Sequence, residues 1–191
     1  MLRPDTLDVD RAMVLVIDVQ TKLLPLVREH AAVLKAACKL LDGAHIFGVP
    51  VLATEQYPQG IGPTDPTVKA RLVTARAKIL EKPTFSACGE RPLRDALLEL
   101  DRPQIVITGI ETHVCVLQTA LDLAVMDYDV FVCADATASR GEMDHDIALA
   151  RMREAGVHVT TVESVLFELC RRCDTDRFKQ MLKIIKSSTP A

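Results

Sequence analysis

Short unbroken apolar runs alternate along this chain with longer stretches of helical periodicity. Ala12-Met13-Val14-Leu15-Val16-Ile17 is wholly apolar and stops at Asp18, as a strand buried on both faces would. A helix is predicted over 25–47, where Val33, Leu34, Leu40 and Leu41 share one side and Gly48 supplies the stop. Pro50-Val51-Leu52-Ala53-Thr54 reads as a second strand, and 55–66, with Gly60, Gly62 and three prolines, as a long loop. Lys78-Ile79-Leu80-Glu81-Lys82 is a weaker strand ending at Pro83, and an amphipathic helix follows over 91–100. Gln104-Ile105-Val106-Ile107-Thr108-Gly109 is the strongest strand pattern. Helices over 112–126, 142–155 and 175–186 enclose strands at 130–134 and 158–160.

Strands that alternate with helices require right-handed crossovers and a parallel sheet. The expected architecture is α/β: a three-layer α/β/α arrangement around a doubly wound, six-stranded parallel sheet, as a single domain over 1–191. With aromatics at 4% and no Trp, the core must be filled by Leu, Val, Ile and Ala, which suits such a sheet. A net charge of -3, without any basic stripe, argues against a nucleic-acid partner. The longest apolar runs are strand-sized and do not span a membrane. The amino terminus carries no secretion pattern, so the six cysteines read as reduced thiols in a cytoplasmic protein.

Ligands of doubly wound sheets bind at the carboxyl ends of the strands, where strand order reverses. Three reactive residues fall there: Asp18 after the first strand, Lys82 closing the third, and Cys115 six residues beyond Gly109. A carboxylate, a cation and a thiol together suit acyl transfer. A helix amino terminus lowers a thiol pKa, Asp18 takes the proton, and Lys82 supports the thiolate and holds substrate. Backbone N–H groups of Glu111 and Cys115 are the candidate oxyanion hole. Each residue also has a bland reading: a turn aspartate, a solvated lysine, and a small buried hydrophobe, the last fitting Cys38 and Cys133.

Ile17-Asp18-Val19-Gln20, Glu81-Lys82-Pro83-Thr84-Phe85-Ser86-Ala87 and Gly109-Ile110-Glu111-Thr112-His113-Val114-Cys115-Val116 resemble, in order and spacing, the three signatures of isochorismatase-like cysteine hydrolases. The segment 54–64, with Thr119-Ala120-Leu121-Asp122-Leu123 and Ala148-Leu149-Ala150-Arg151-Met152, narrows the resemblance to the isochorismatase domain-containing subgroup. The likeness runs from about Ala12 to the terminal helix. It implies a six-stranded parallel sheet, an Asp18–Lys82–Cys115 triad and a homo-oligomer. It also implies a cis peptide at Ile110–Glu111. Gln20, Tyr57, Phe85 and His113 are candidate substrate-pocket residues.

Nicotinamidases of the superfamily carry an Asp-x-His-x-His metal motif after the second strand. Here that region reads Glu55-Gln56-Tyr57-Pro58-Gln59, so neither a metal nor another cofactor is expected. Isochorismate-cleaving members lack a cysteine nucleophile, so Cys115 points to a small amide-like substrate with a C–N bond, hydrolysed through an acyl-enzyme. The alternative is a catalytically idle binding or scaffold subunit. A nucleotide-binding reading lacks a phosphate-cradling loop. Cys170-Arg171-Arg172-Cys173 has redox-motif spacing but the wrong strand context. Asp144-His145-Asp146 sits at a helix start, where acids favour the dipole.

Overall fold

A computed structural model describes residues 6–186, so residues 1–5, on which much of the secretion reading rests, lie outside the described residues. Six parallel strands form one sheet: β1 (Ala12–Ile17), β2 (Val51–Gln56), β3 (Lys78–Lys82), β4 (Gln104–Ile110), β5 (Asp129–Ala138) and β6 (His158–Thr160). Their order is β3-β2-β1-β4-β5-β6, which places the reversal of strand order between β1 and β4. Every residue of β1, β2 and β4 is buried.

The pleat of β1 divides its side chains between two cores. Ala12, Val14 and Val16 meet α1 (His30–Phe47) and α7 (Val162–Cys170), while Met13, Leu15 and Ile17 meet the face of α4 (Arg91–Leu100) and α5 (Leu117–Val125). α6 (Glu142–Glu154) adds Ala148, Leu149 and Met152 to the second core. α8 (Asp176–Lys186) lies on the first face, where Met181 is fully buried and Phe178 and Ile185 pack on the core.

Several predicted boundaries move, each for a local reason. The first helix begins at His30, after a 3-10 turn at Leu24–Leu26 with Pro25 in its first turn. The supposed loop at 55–66 is largely regular: β2 runs on to Gln56, α2 (Pro58–Ile61) follows, and α3 (Pro66–Thr74) starts at the third proline. Pro58 and Pro66 begin helices here instead of breaking them, because proline's missing N–H costs nothing in a first turn. Asp65 caps α3 by accepting the Thr67 N–H at 2.8 Å. α7 is a further helix, capped by Thr161, which accepts the Ser164 N–H.

Gly109 is required where β4 pairs with Ile17 of β1. Its φ is +134°, and a Cβ there would strike the backbone of Ile17. The β4–β5 register shifts between Ile107 and Gly109, where two residues of β4 span Val132 to Thr137 of β5, so the irregularity lies on β5 beside the segment that carries the thiol.

Candidate active site

The carboxyl ends of β1, β2, β3 and β4 bring five polar side chains into one water-poor cluster. Asp18 follows β1 with φ +52°, a left-handed conformation that Asp tolerates, and its carboxylate is completely buried. Thr54 on β2 donates its hydroxyl to Asp18 Oδ1 at 2.7 Å. Lys82, the last residue of β3, is 2% exposed and puts Nζ 2.7 Å from Asp18 Oδ2. Three acceptors take the Lys82 protons: Gln56 Oε1 at 2.8 Å, and the carbonyls of Thr84 and Phe85, each at 3.1 Å. Asp18 Oδ2 therefore feels the ammonium charge but accepts no hydrogen bond of good geometry, and a lone pair stays available.

Cys115 lies 5% exposed beside this group, and its Sγ donates to Gln56 Oε1 at 3.4 Å. It does not open an α-helix, as the sequence suggests. A π-helical turn, Thr112–Val116, holds it, and α5 begins at Leu117. The expected lowering of the thiol pKa is corrected with it. Burial first, then the Asp18 charge, pushes Cys115 up to about 12, against the opposing pull of Lys82. The resting nucleophile candidate is a neutral thiol.

The turn is braced by side chains. Thr112 Oγ1 meets His145 Nδ1 at 2.9 Å, and His113 Nδ1 meets Ser139 Oγ at 2.9 Å. Glu111 Oε1 accepts from both the backbone N–H and Nε of Arg140, each at 3.0 Å. The Ile110–Glu111 peptide is cis. The Glu111 carbonyl accepts from the N–H groups of Val114 at 3.1 Å and Val116 at 3.2 Å, which flank Cys115.

The pocket candidates divide. Gln20 is corrected: it is fully buried and structural, its amide nitrogen donating to the carbonyls of Gln56 and Gly62 and its oxygen accepting the Gln56 N–H. Tyr57 and Phe85 are 60% and 55% exposed, and Tyr57 lines a cleft of about 180 Å³ with Pro58, Gln59, Glu81, Lys82 and Pro83. His113 is held by Ser139 at the end of β5. Gln56 escapes a sequence reading that ends β2 at Thr54. Had the strand been extended by two residues, the same strand-end rule that finds Asp18 and Lys82 would have found it. Among the described residues no group of three or more His, Cys, Asp or Glu is arranged to hold a metal ion.

A family model, the isochorismatase domain, matches residues 12–164, which carry Asp18, Thr54, Gln56, Lys82 and Cys115. The chain belongs to the isochorismatase family. Isochorismatase domain-containing protein 1 of Danio rerio is 38% identical over 174 residues, 91% of this chain and 60% of that protein. The chain thus spans less than two thirds of that relative's length. Isochorismatase domain-containing protein 2 of Rattus norvegicus is also 38% identical, over 91% of this chain and 80% of its own. Among solved structures, the MAR1 ribonuclease of Caenorhabditis elegans superposes with a TM-score of 0.91 at 34% identity, covering 97% of this chain and 95% of that one. The Escherichia coli YcaC gene product, an octameric hydrolase of unknown specificity, gives 0.93 at 29%, covering 100% and 94%. The isochorismatase fold is therefore shared across these family members, and their names differ in activity.

Proposed function

We propose that this isochorismatase-family protein is a metal-independent cysteine hydrolase that cleaves the C–N bond of a small amide-like substrate through an acyl-enzyme. The observation that carries the reading is the meeting of Cys115 Sγ with a buried Asp18–Lys82 pair that retains an open carboxylate lone pair. Asp18 Oδ2 takes the thiol proton, and the sulfur electron pair forms the S–C bond. The collapsing intermediate expels an amine that takes the proton back from Asp18. Water then attacks the thioester and gives a proton to Asp18, and collapse of the intermediate releases the acid and expels the sulfur, which recovers that proton from Asp18 as the free thiol. The N–H groups of Glu111 and Cys115 are the proposed donors to the oxyanion in both halves. Lys82 holds its charge beside the reacting atoms throughout, and Tyr57 and Phe85 line the approach.

The octameric YcaC relative supports a homo-oligomer. The ribonuclease name of the nematode relative does not carry over as readily: the net charge is -3, and the buried thiol suits a carbonyl better than a phosphodiester. The test is an amide and ureide library read by intact mass spectrometry, with an RNA substrate in parallel. An acyl mass on Cys115, turnover that survives chelation, and loss of both in Cys115→Ala are expected. Turnover retained in Cys115→Ala would defeat the covalent mechanism.

A further inference from the structure

Gln56 stands where the thiol and the lysine meet, and its amide orientation is fixed by its neighbours. Lys82 has only protons to offer, so the atom facing it is Oε1, and Nε2 donates to the Pro83 carbonyl at 2.9 Å. The same Oε1 accepts from Lys82 at 2.8 Å and from Cys115 Sγ at 3.4 Å. The backbone beneath is pinned as well, since the Gln56 N–H donates to Gln20 Oε1 at 2.8 Å.

We propose that Gln56 is a latch on the nucleophile: its carbonyl oxygen holds the Cys115 proton in the resting enzyme, and the thiol must leave it for Asp18 Oδ2 before attack. The inference rests on the reading of Cys115 as nucleophile. A hydrogen bond accepted from the neutral thiol stabilises the form that cannot react. By accepting from Lys82 as well, the same oxygen directs one ammonium proton toward itself and away from sulfur. Release breaks only the S–H bond. The proton goes to Asp18, the electron pair stays on sulfur, and Lys82 then has a thiolate as an alternative acceptor.

The charges around the thiol are few. Asp18 from the end of β1 and Lys82 from the end of β3 are the two that act on it directly. On its own turn, Glu111 is paired with Arg140 and His113 is bonded to Ser139. From α6, His145 is engaged with Thr112, and on α5 Asp122 accepts from Ser86.

The test needs no substrate. Cys115 in the full-length protein is alkylated with iodoacetamide from about pH 7 to about pH 9, below its titration, where rate follows thiolate fraction. Peptide mass spectrometry reads the site. Gln56→Met and Gln56→Glu both keep the length of glutamine and hence access to the sulfur. Gln56→Met removes the acceptor and should alkylate about tenfold faster. Gln56→Glu adds a negative charge beside the sulfur and should alkylate about tenfold slower. Circular dichroism verifies the fold of each, and Gln56→Met alone decides if the glutamate variant does not fold. Rates within twofold of the parent, or a change of the same sign in both variants, would overturn the latch. Amide turnover retained in Cys115→Ala counts against the nucleophile reading instead, and leaves the ratio between variants to be judged by itself.

Discussion

Strands β1, β2 and β3 lead directly into Asp18, Gln56 and Lys82, whereas β4 stops at Ile110 and its contribution hangs five residues further on, at Cys115. The first half of the sheet positions side chains through the backbone ladder. Gln56 and Lys82 are direct partners in the β2–β3 register, and the Asp18 N–H donates to the Thr54 carbonyl at 3.2 Å. The second half positions its thiol through side-chain braces to the end of β5 and the start of α6. The charged pair thus sits on the strand ladder and the proposed nucleophile on an irregular turn. That division suits a site in which the ion pair must persist through the cycle while the sulfur changes bonding partner.

The largest effect should come from removing the sulfur. Cys115→Ala should abolish turnover, and Asp18→Asn should lose about 10²–10⁴-fold in rate through lost proton transfer. The double mutant should be no worse than Cys115→Ala, because residues acting as a unit do not multiply. Single- and double-mutant assays on the amide found by the library check this, and multiplying losses would separate the two halves.

Next in size is the rigid half by itself. Lys82→Met removes the cation from a carboxylate buried with it, which should destabilise the fold by about 3–5 kcal/mol. Adding Asp18→Asn should restore part of that loss, since no uncompensated charge then remains. Urea unfolding of the two single variants and the double measures it. A double variant as unstable as the sum of the singles would mean that the pair is not coupled.

The thiols set an alkaline limit. Burial pushes Cys88 up to about 11 and Cys115 up to about 12, from 9.0 in the unfolded chain. A raised folded-state pKa means that the folded protein holds protons the unfolded chain releases. Stability from these groups is complete below pH 9 and is lost as pH rises toward 11 or 12. Urea midpoints from about pH 8 to about pH 11 should fall, and fall less steeply in Cys88→Ala and Cys115→Ala. Equal slopes in parent and variants would rule Cys88 and Cys115 out as the cause.

The two halves also differ in how far the sequence reveals them. The apolar run 12–17 and the strand ends at Asp18 and Lys82 are legible because a doubly buried strand has an unmistakable pattern and its end is sharp. α4 (Arg91–Leu100) and β6 (His158–Thr160) fall where periodicity and turn residues put them. Gln56 was hidden because β2 continues through polar residues, whose burial comes from Gln20 and Thr64 reaching over them. The π turn at Cys115 is invisible because Thr112, His113 and Val114 look like ordinary helix, and the braces come from Ser139, Arg140 and His145, distant in sequence. The reduced state assigned to the thiols says nothing about their protonation, which depends on tertiary burial.

The smallest effect tests those braces. Burial holds the His145 imidazole below its ordinary 6.5, with Asp146 and Glu29 pulling the other way. A depressed folded-state pKa means that the stability tied to this group is present above pH 6.5 and is lost as pH falls through the folded value. The contact gives a physical route. In the tautomer that carries its proton on Nε2, neutral His145 accepts the Thr112 hydroxyl at Nδ1, and protonation turns that nitrogen into a donor, so the hydroxyl must give up the bond it donates. Loss of one such bond costs about 1 kcal/mol. Urea midpoints between about pH 7 and about pH 5 should therefore fall by that order in the parent and less in His145→Gln, which cannot titrate. Cys115 alkylation, read at fixed pH, should rise slightly in the same variant as the π turn loosens. Parallel acid profiles for parent and variant would leave His113 and Arg140 as the braces that matter, and would place the flexibility of the nucleophile at the β5 end of its turn.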